Sequence, residues 1–225
     1  MEGVAIYNAD FSRNSYQKGS EQVKKSELTK QRILEAAETE FAAKGIYGAR
    51  VDDIAERAKA NKRMIYEYFG SKEQLYSEVL GVVYSRITER EKELLNDNTD
   101  CIQAIRNIIA MYFEFLNSDR NFVKLIMWEN LNQARYIKAN DVPMIKDYAI
   151  RAARRVLERG IKQGVFRQDT DIEEIILSLN MFTFSYFSNI HTMSQVMQID
   201  FNKPEQIQKR TDHVTNMILN FIVTK

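Results

Sequence analysis

The sequence predicts an all-α protein. Three observations carry that expectation. Only 8 Gly and 2 Pro are spread over 225 residues, so long stretches run without a helix breaker. Apolar residues recur at three- and four-residue spacing through most of the chain, the period of one helix face. Nowhere do apolar and polar residues alternate between turn signals in the way that marks a confident strand. The length allows one or two domains with a real core.

In chain order, residues 1–25 show no period and mix Asn, Ser, Gly, Gln and both charges, which reads as a flexible N-terminal arm. Helix one starts at Ser26 or Thr29 and runs to Lys44. Ile33, Ala37 and Phe41 repeat at four-residue spacing with Leu34 beside them, and Gly45 ends the helix. Helix two starts near Arg50, with Val51, Ile54, Ala55 and Ala58 on one face. Arg50 cannot accept a hydrogen bond, so a side-chain cap is missing at roughly 1 kcal/mol. Asp52 and Asp53 in the first turn offset part of that through the helix dipole. After Lys59-Ala60, Asn61 is placed to cap a third helix, Lys62 to Phe69. Ile65, Tyr68 and Phe69 share its inner face, and Lys62, Arg63 and Tyr66 stay outside. Two short helices around a tight turn, the second with a basic outward N-terminus, form the helix-turn-helix pattern.

Helix four opens on Ser71-Lys72-Glu73-Gln74, a capping box, and Leu75, Tyr76, Val79, Leu80, Val83 and Ile87 carry its apolar face to about Leu95. Its length predicts a stiff lever between the first domain and the rest. A polar loop ends at Asp100, the cap of helix five, which reaches about Leu116. Helix six covers roughly residues 121–134. Asp141-Val142-Pro143 starts helix seven, closed by Gly164, and Asp169-Thr170-Asp171 starts helix eight, drawn as one helix to Met197. Helix eight is apolar almost all round between Ile175 and Ile190, so it needs cover on more than one side. Pro204-Glu205 starts helix nine, with Ile207, Val214, Met217, Ile218, Phe221 and Ile222 on its stripe.

Composition narrows the function classes. The formal net charge is +1, so any polyanion contact must come from local clustering. The single cysteine, Cys101, cannot form an intrachain disulfide and reads as a small apolar helix residue of a reducing compartment. No secretory signal or membrane span is expected, because Ser178, Asn180, Ser185, Ser188, Asn189 and His191 interrupt the longest apolar run. His191 and His213, the two histidines, sit on different predicted helices with no partner at metal-ligand spacing. No phosphate loop follows a strand and no nucleophile elbow is found, so neither an enzyme, a metal nor a cofactor is expected. Glu129, beside Trp128, reads as a solvated helix residue.

Taken together, Ile33-Leu34-Glu35-Ala36-Ala37, Phe41-Ala42-Ala43-Lys44-Gly45, Asp53-Ile54-Ala55, Tyr66-Glu67-Tyr68-Phe69 and Ser71-Lys72-Glu73 closely resemble, in order and without gaps, the DNA-binding domain of the TetR family of bacterial transcriptional regulators. The resemblance covers about Thr29 to Tyr76; beyond it only the helical layout is similar. Two positions depart from the family pattern: Arg50 stands where Thr commonly caps helix two, and Lys59-Ala60 where Gly-Val is usual. A non-Gly residue in a left-handed turn costs roughly 1 kcal/mol.

The resemblance implies a three-helix helix-turn-helix domain at residues 26–76 and a larger helical ligand-binding and dimerisation domain at 77–225. It implies a cytoplasmic homodimer through helices eight and nine, bound to a palindromic double-stranded DNA operator. An unknown small-molecule effector would release it, which makes it a repressor; an activator, or a DNA-binding protein without effector, stays open. The candidate DNA-binding residues are Arg50, Asn61, Lys62, Arg63, Met64, Tyr66, Tyr68 and Lys72. Lys62, Arg63 and Met64 would face base edges, Tyr66 a base methyl or a phosphate, and Arg50, Tyr68 and Lys72 the backbone. Lys72 also follows from its place in the first turn of helix four, where N–H groups favour an anion. Lys18, Lys24 and Lys25 of the arm are further candidates for phosphates. The large side chains Met111, Phe115, Met127, Trp128, Tyr148, Phe184 and Phe187, with Asn180 as a polar group, are the candidate ligand-binding residues, each of which also reads as ordinary core. Asn130 and Arg135 are further polar candidates.

Overall fold

The computed structural model describes residues 7–94, 98–137 and 151–224, with side chains from residue 24 onward. These residues form ten helices: α1 (Tyr7–Gly48), α2 (Val51–Ala58), α3 (Lys62–Phe69), α4 (Lys72–Glu93), α5 (Cys101–Ser118), α6 (Arg120–Leu131), α7 (Arg151–Lys162), α8 (Ile172–Ser188), α9 (Ile190–Met197) and α10 (Pro204–Ile222). Among the described residues the only β pairing is an isolated antiparallel bridge between Phe166 and Val223. The chain divides into two compact units, one ending at Val79 and one starting at Leu80.

The first unit is built on α1 packed against α2 and α3. Ile33, Ala37 and Phe41 are fully buried, as their spacing predicts, together with Ile54, Ile65, Leu75 and Tyr76. Phe41 meets Tyr76 edge to face at 5.0 Å. Burying the Ile, Leu and Phe side chains among these contributes roughly 1.5–3 kcal/mol each. Gly45 breaks α1 with φ 67°, a left-handed backbone that only glycine adopts without cost, and one further turn runs to Gly48. The N-terminal boundary differs from the expected one. Residues 7–25, read as an arm without regular structure, have helical backbone continuous with helix one. Adding residues to an existing helix fixes one hydrogen bond per residue and avoids the costly nucleus, so a segment with no apolar period can still be drawn in.

In the second unit α5 packs against α6, α7, α8 and α10. Ile105, Ile109, Phe113 and Leu116 of α5 are buried, with Val156 and Leu157 of α7, Leu179 of α8 and Val214 and Ile218 of α10. Gly160 is required by packing: a Cβ there would lie 2.1 Å from the buried Phe166 ring. Asp100 caps α5 by accepting from the Ile102 and Gln103 amides, both at 3.0 Å.

Three expectations about this unit are corrected. Helix eight is two helices. Asn189 leaves the helical region (φ −107°, ψ 9°), and its side-chain amide donates to the Ser185 carbonyl and the Ser188 hydroxyl, each at 3.0 Å. A Ser/Asn cluster that bonds the local backbone competes with the helix ladder. Helix six stops at Leu131, three residues early, because Gln133 and Ala134 turn left-handed (φ 57° and 53°). Glu129 is buried at 1 % exposure rather than solvated, and its Oε2 accepts from the Tyr136 amide at 3.1 Å just past the helix end. The start of helix seven lies outside the described residues.

Candidate nucleic-acid interface

The helix-turn-helix is set by local chemistry. Arg50 precedes α2 with extended backbone and makes no side-chain cap, and Asp52 and Asp53 occupy the first turn. Lys59 ends α2 in the left-handed conformation (φ 48°, ψ 44°), the strained turn expected from a missing glycine. Asn61 caps α3: its side-chain oxygen accepts from the Arg63 amide at 2.9 Å. Ser71 accepts from the Gln74 amide at 3.1 Å at the start of α4.

A buried carboxylate fixes α2 against α1. Glu40, 5 % exposed, accepts from Arg57 Nη2 at 3.0 Å and meets Lys44 Nζ at 2.7 Å, and Lys44 also reaches Asp53 at 2.9 Å. The hydrogen bond from Lys44, with Arg57 behind it, holds the Glu40 carboxyl below its ordinary range. No sequence pattern named this cluster, because the partners are 17 residues apart and meet only in the fold.

Ile65 and Phe69 bury the inner face of α3, which leaves Lys62, Arg63 and Tyr66 exposed and Met64 and Tyr68 half-buried. Arg50 and Asn61 are exposed and Lys72 is half-buried. Two of these cations are held by carboxylates of the same chain. Lys62 Nζ lies 2.8 Å from Asp52, whose hydrogen bond raises the lysine pKa, and Arg63 Nε lies 2.7 Å from Glu67. Ser26 donates to the Tyr68 hydroxyl at 3.1 Å, which anchors α3 to α1.

The expected ligand-binding residues are distributed differently. Phe115 and Phe187 are buried core, Met111, Trp128, Asn180 and Phe184 are half-buried, and Met127 is exposed. Phe115 stacks edge to face on Phe122 at 5.1 Å, and Phe187 packs on Phe113 at 5.8 Å. Asn180 donates to the Ile176 carbonyl of its own helix at 2.9 Å. Asn130 and Arg135 are exposed, and Tyr148 lies outside the described residues.

Sequence reasoning also missed the burial of Glu91. Glu91, 2 % exposed, accepts a hydrogen bond from the Tyr112 hydroxyl. Burial pushes its pKa up to about 7, opposed by that hydrogen bond. A groove of about 330 Å³ between α8 and α10 was also not foreseen; Glu174, Ile175, Ser178, Phe182, Met217, Ile218 and Phe221 line it. No helix among the described residues is long and apolar enough to cross a membrane.

A compact helix-turn-helix head with an exposed basic helix start, followed by a larger helical unit, defines a DNA-binding regulator. Residues 33–79 match the family model described as bacterial regulatory proteins, tetR family, and residues 102–218 match the tetracyclin repressor-like C-terminal domain. Over 176 residues the chain is 34% identical to the HTH-type transcriptional repressor NicS of Pseudomonas putida, covering 78% of this chain and 83% of that one. It is 32% identical over 94 residues to the HTH-type transcriptional activator FasR of Mycolicibacterium smegmatis, 42% of this chain and 43% of that one. Among solved structures it is similar in fold to the transcriptional regulator FadR from Bacillus subtilis in complex with stearoyl-CoA. That match has TM-score 0.68 and 18% identity over 84% of this chain and 97% of the other. The chain belongs to the TetR family of bacterial transcriptional regulators.

Proposed function

We propose that this regulator is a cytoplasmic repressor that binds a palindromic operator as a homodimer and leaves it when a small molecule occupies the second unit. The observation that carries the DNA reading is the start of α3, where Lys62, Arg63 and Tyr66 stand exposed on a helix whose opposite face is buried. In this reading Lys62, Arg63 and Met64 face base edges in the major groove. Arg50, Tyr68 and Lys72 hold the backbone, Tyr66 meets a base methyl or a phosphate, and Asn61 sets the start of the helix that enters the groove. Paired heads would sit about 34 Å apart, one DNA turn or a multiple.

The dimer reading is supported by surface chemistry. Leu177 and Met181 of α8 and Met217 and Phe221 of α10 are all at least 40% exposed. From Ile175 to Ile199 there is not one Asp, Glu, Lys or Arg. An exposed apolar face depleted of charge is the signature of an interface core. The repressor sign is supported by the similarity to NicS, named a repressor over most of its length, against the shorter match to an activator. A coupling of roughly 1–3 kcal/mol between effector and operator suffices for release.

The test is selection of bound DNA from a random pool, followed by footprinting at the gene's own promoter. The expected result is a two-fold symmetric site overlapping that promoter. An asymmetric site, or no enriched sequence, overturns the paired-head reading.

A further inference from the structure

A second basic site lies far in sequence from the helix-turn-helix. Arg120 opens α6 and Arg210 lies on α10, and both are half-buried. Among the described residues neither is paired with a carboxylate. Arg120 donates to the Asn117 carbonyl at 3.0 Å and to Asn117 Oδ1 at 2.7 Å, and its guanidinium lies 4.7 Å from the centre of the Phe187 ring. Arg210 lies 5.8 Å from the Phe182 ring centre, and its Nε is buried with no hydrogen-bond partner.

Phe182, beside Arg210, lies one helical turn before Tyr186 on α8, and Phe187, beside Arg120, follows it, so the two arginines flank Tyr186, whose hydroxyl donates to the Phe201 carbonyl at 2.8 Å. Partial burial lowers the pKa of each arginine, and among the described residues no carboxylate pairs with either. The carboxylates nearby in sequence are engaged elsewhere: Asp119 by Arg86 at 2.8 Å, Asp200 by the Asn202 amide at 3.0 Å. Asp200 is the acid that acts on Tyr186, yet it forms no ion pair with either arginine. The walls are aromatic, with Tyr186 edge to face on Phe187 at 5.2 Å and on Phe201 at 5.8 Å.

Two partly desolvated guanidiniums, one with an unused donor, make a strong receptor for a planar anion, and the aromatic walls suit an apolar body. We propose that Arg120 and Arg210 form a binding site for a small organic carboxylate, with its head between the two guanidiniums and its body against Phe182 and Phe201. This deepens the effector reading by naming the ligand's chemical class. Occupation itself does not depend on that reading, since it is measured without DNA.

The experiment is calorimetric titration of the full chain with benzoate, octanoate and inorganic phosphate, beside benzyl alcohol, octanol and benzylamine as uncharged or cationic matches. Benzoate or octanoate should bind and the alcohols and the amine should not; phosphate binding as well would mean that the charge alone is read. Arg210→Gln and Arg120→Gln should each weaken the carboxylate about tenfold or more, and Arg210→Lys should keep more affinity than Arg210→Gln. Unchanged melting and mass of the variants establish that they are folded. Equal binding of alcohol and acid, no carboxylate binding, or unchanged affinity in both Gln variants overturns the site. So does loss of the dimer in Arg210→Gln without any carboxylate binding, which would assign the arginines to a partner's acid. Operator release by a bound carboxylate is then read separately. Binding without release keeps the site and removes the effector reading.

Discussion

Two buried acids, one in each unit, are held in opposite ways. In the first, Glu40 goes inside with two cations, Lys44 and Arg57, and is held ionised. In the second, Glu91 goes inside against a neutral tyrosine hydroxyl and has its pKa raised to about 7. The surfaces of the two units differ in the same sense. Exposed Lys62 and Arg63 of the head sit beside carboxylates of their own chain, while α8 and α10 of the second unit expose Leu177, Met181, Met217 and Phe221, with Glu174 and Arg167 at the edge of that face. The head exposes charge, the surface a charged partner would meet. The body exposes an apolar face, the one we propose a second copy covers.

The largest effect is expected where that face is broken. Phe221, 56% exposed on α10, should become buried in the dimer. Phe221→Glu places a charge there, at a cost that association cannot recover. Monomers should appear by light scattering, and operator affinity should fall by roughly a hundredfold or more as two linked half-sites become one. Unchanged mass would place the interface elsewhere.

The next effect sharpens what the head's cations do. Lys62→Ala and Arg63→Ala should each lose roughly tenfold to a hundredfold on the operator and relax preference at one base pair. Lys72→Ala should instead weaken all sequences alike and flatten the salt dependence by about one phosphate per half-site. Binding isotherms on operator and scrambled DNA at several salt concentrations separate the two classes. Lys72→Ala altering base preference while the other two leave it untouched would overturn the docking.

The buried acids give a smaller effect of opposite sign. Glu40 has its pKa lowered in the folded state, so its contribution is present above the unfolded value near 4.5 and is lost as pH falls through the folded value. Glu91 has its pKa raised, so the folded state binds the extra proton between about 4.5 and about 7, and stability falls as pH rises through that window. Glu91→Gln keeps a group that accepts from Tyr112 and cannot ionise. Chemical denaturation at pH 5 and pH 8 should show the variant losing less stability on the rise than the parent chain. Glu40→Gln should be less stable at pH 7 and show a shallower loss on acidification. Parallel pH profiles for both variants would remove the contrast.

Much of the head was legible because its signals are local. Asn61 as a cap, Gly45 as a stop, the acidic first turn of α2 and the left-handed Lys59 are all decided within a few residues. The ion cluster around Glu40 was not, because its members come from two helices. In the second unit, periodicity placed α5 and α10, but the break at Asn189 depends on side chains competing with the ladder, and the burial of Glu129 on the turn that follows α6. Large side chains marked a pocket lining in the sequence, yet Phe115 and Phe187 turn out to fill the core. Spacing says which residues face inward; it does not say whether inward means a neighbour or a cavity.

The smallest effect tests whether the head's pairing is part of its function. Lys62 is about half-exposed and is held by Asp52 across the α2–α3 turn at 2.8 Å. An exposed pair of this kind adds little to folding, since solvent screens it. Its consequence for DNA is separate: the lysine must leave Asp52, or share it, before it meets a base or a phosphate, and the aspartate then lies close to a polyanion. Asp52→Asn removes both the competitor and the repulsion. The dipole term at the start of α2 is partly lost, and Asp53, already paired with Lys44, retains its share. Folding should therefore change little while DNA affinity rises by less than about tenfold. If Lys62 reads a base, the gain should be larger on the operator than on scrambled DNA. If Lys62 only meets phosphate, the gain should be equal on both, and Lys62 would move from the base-reading group to the group that holds the backbone. A fall in affinity with an unchanged melting temperature would mean that Asp52 positions Lys62 for DNA rather than competing for it, which reverses the role given to the pair.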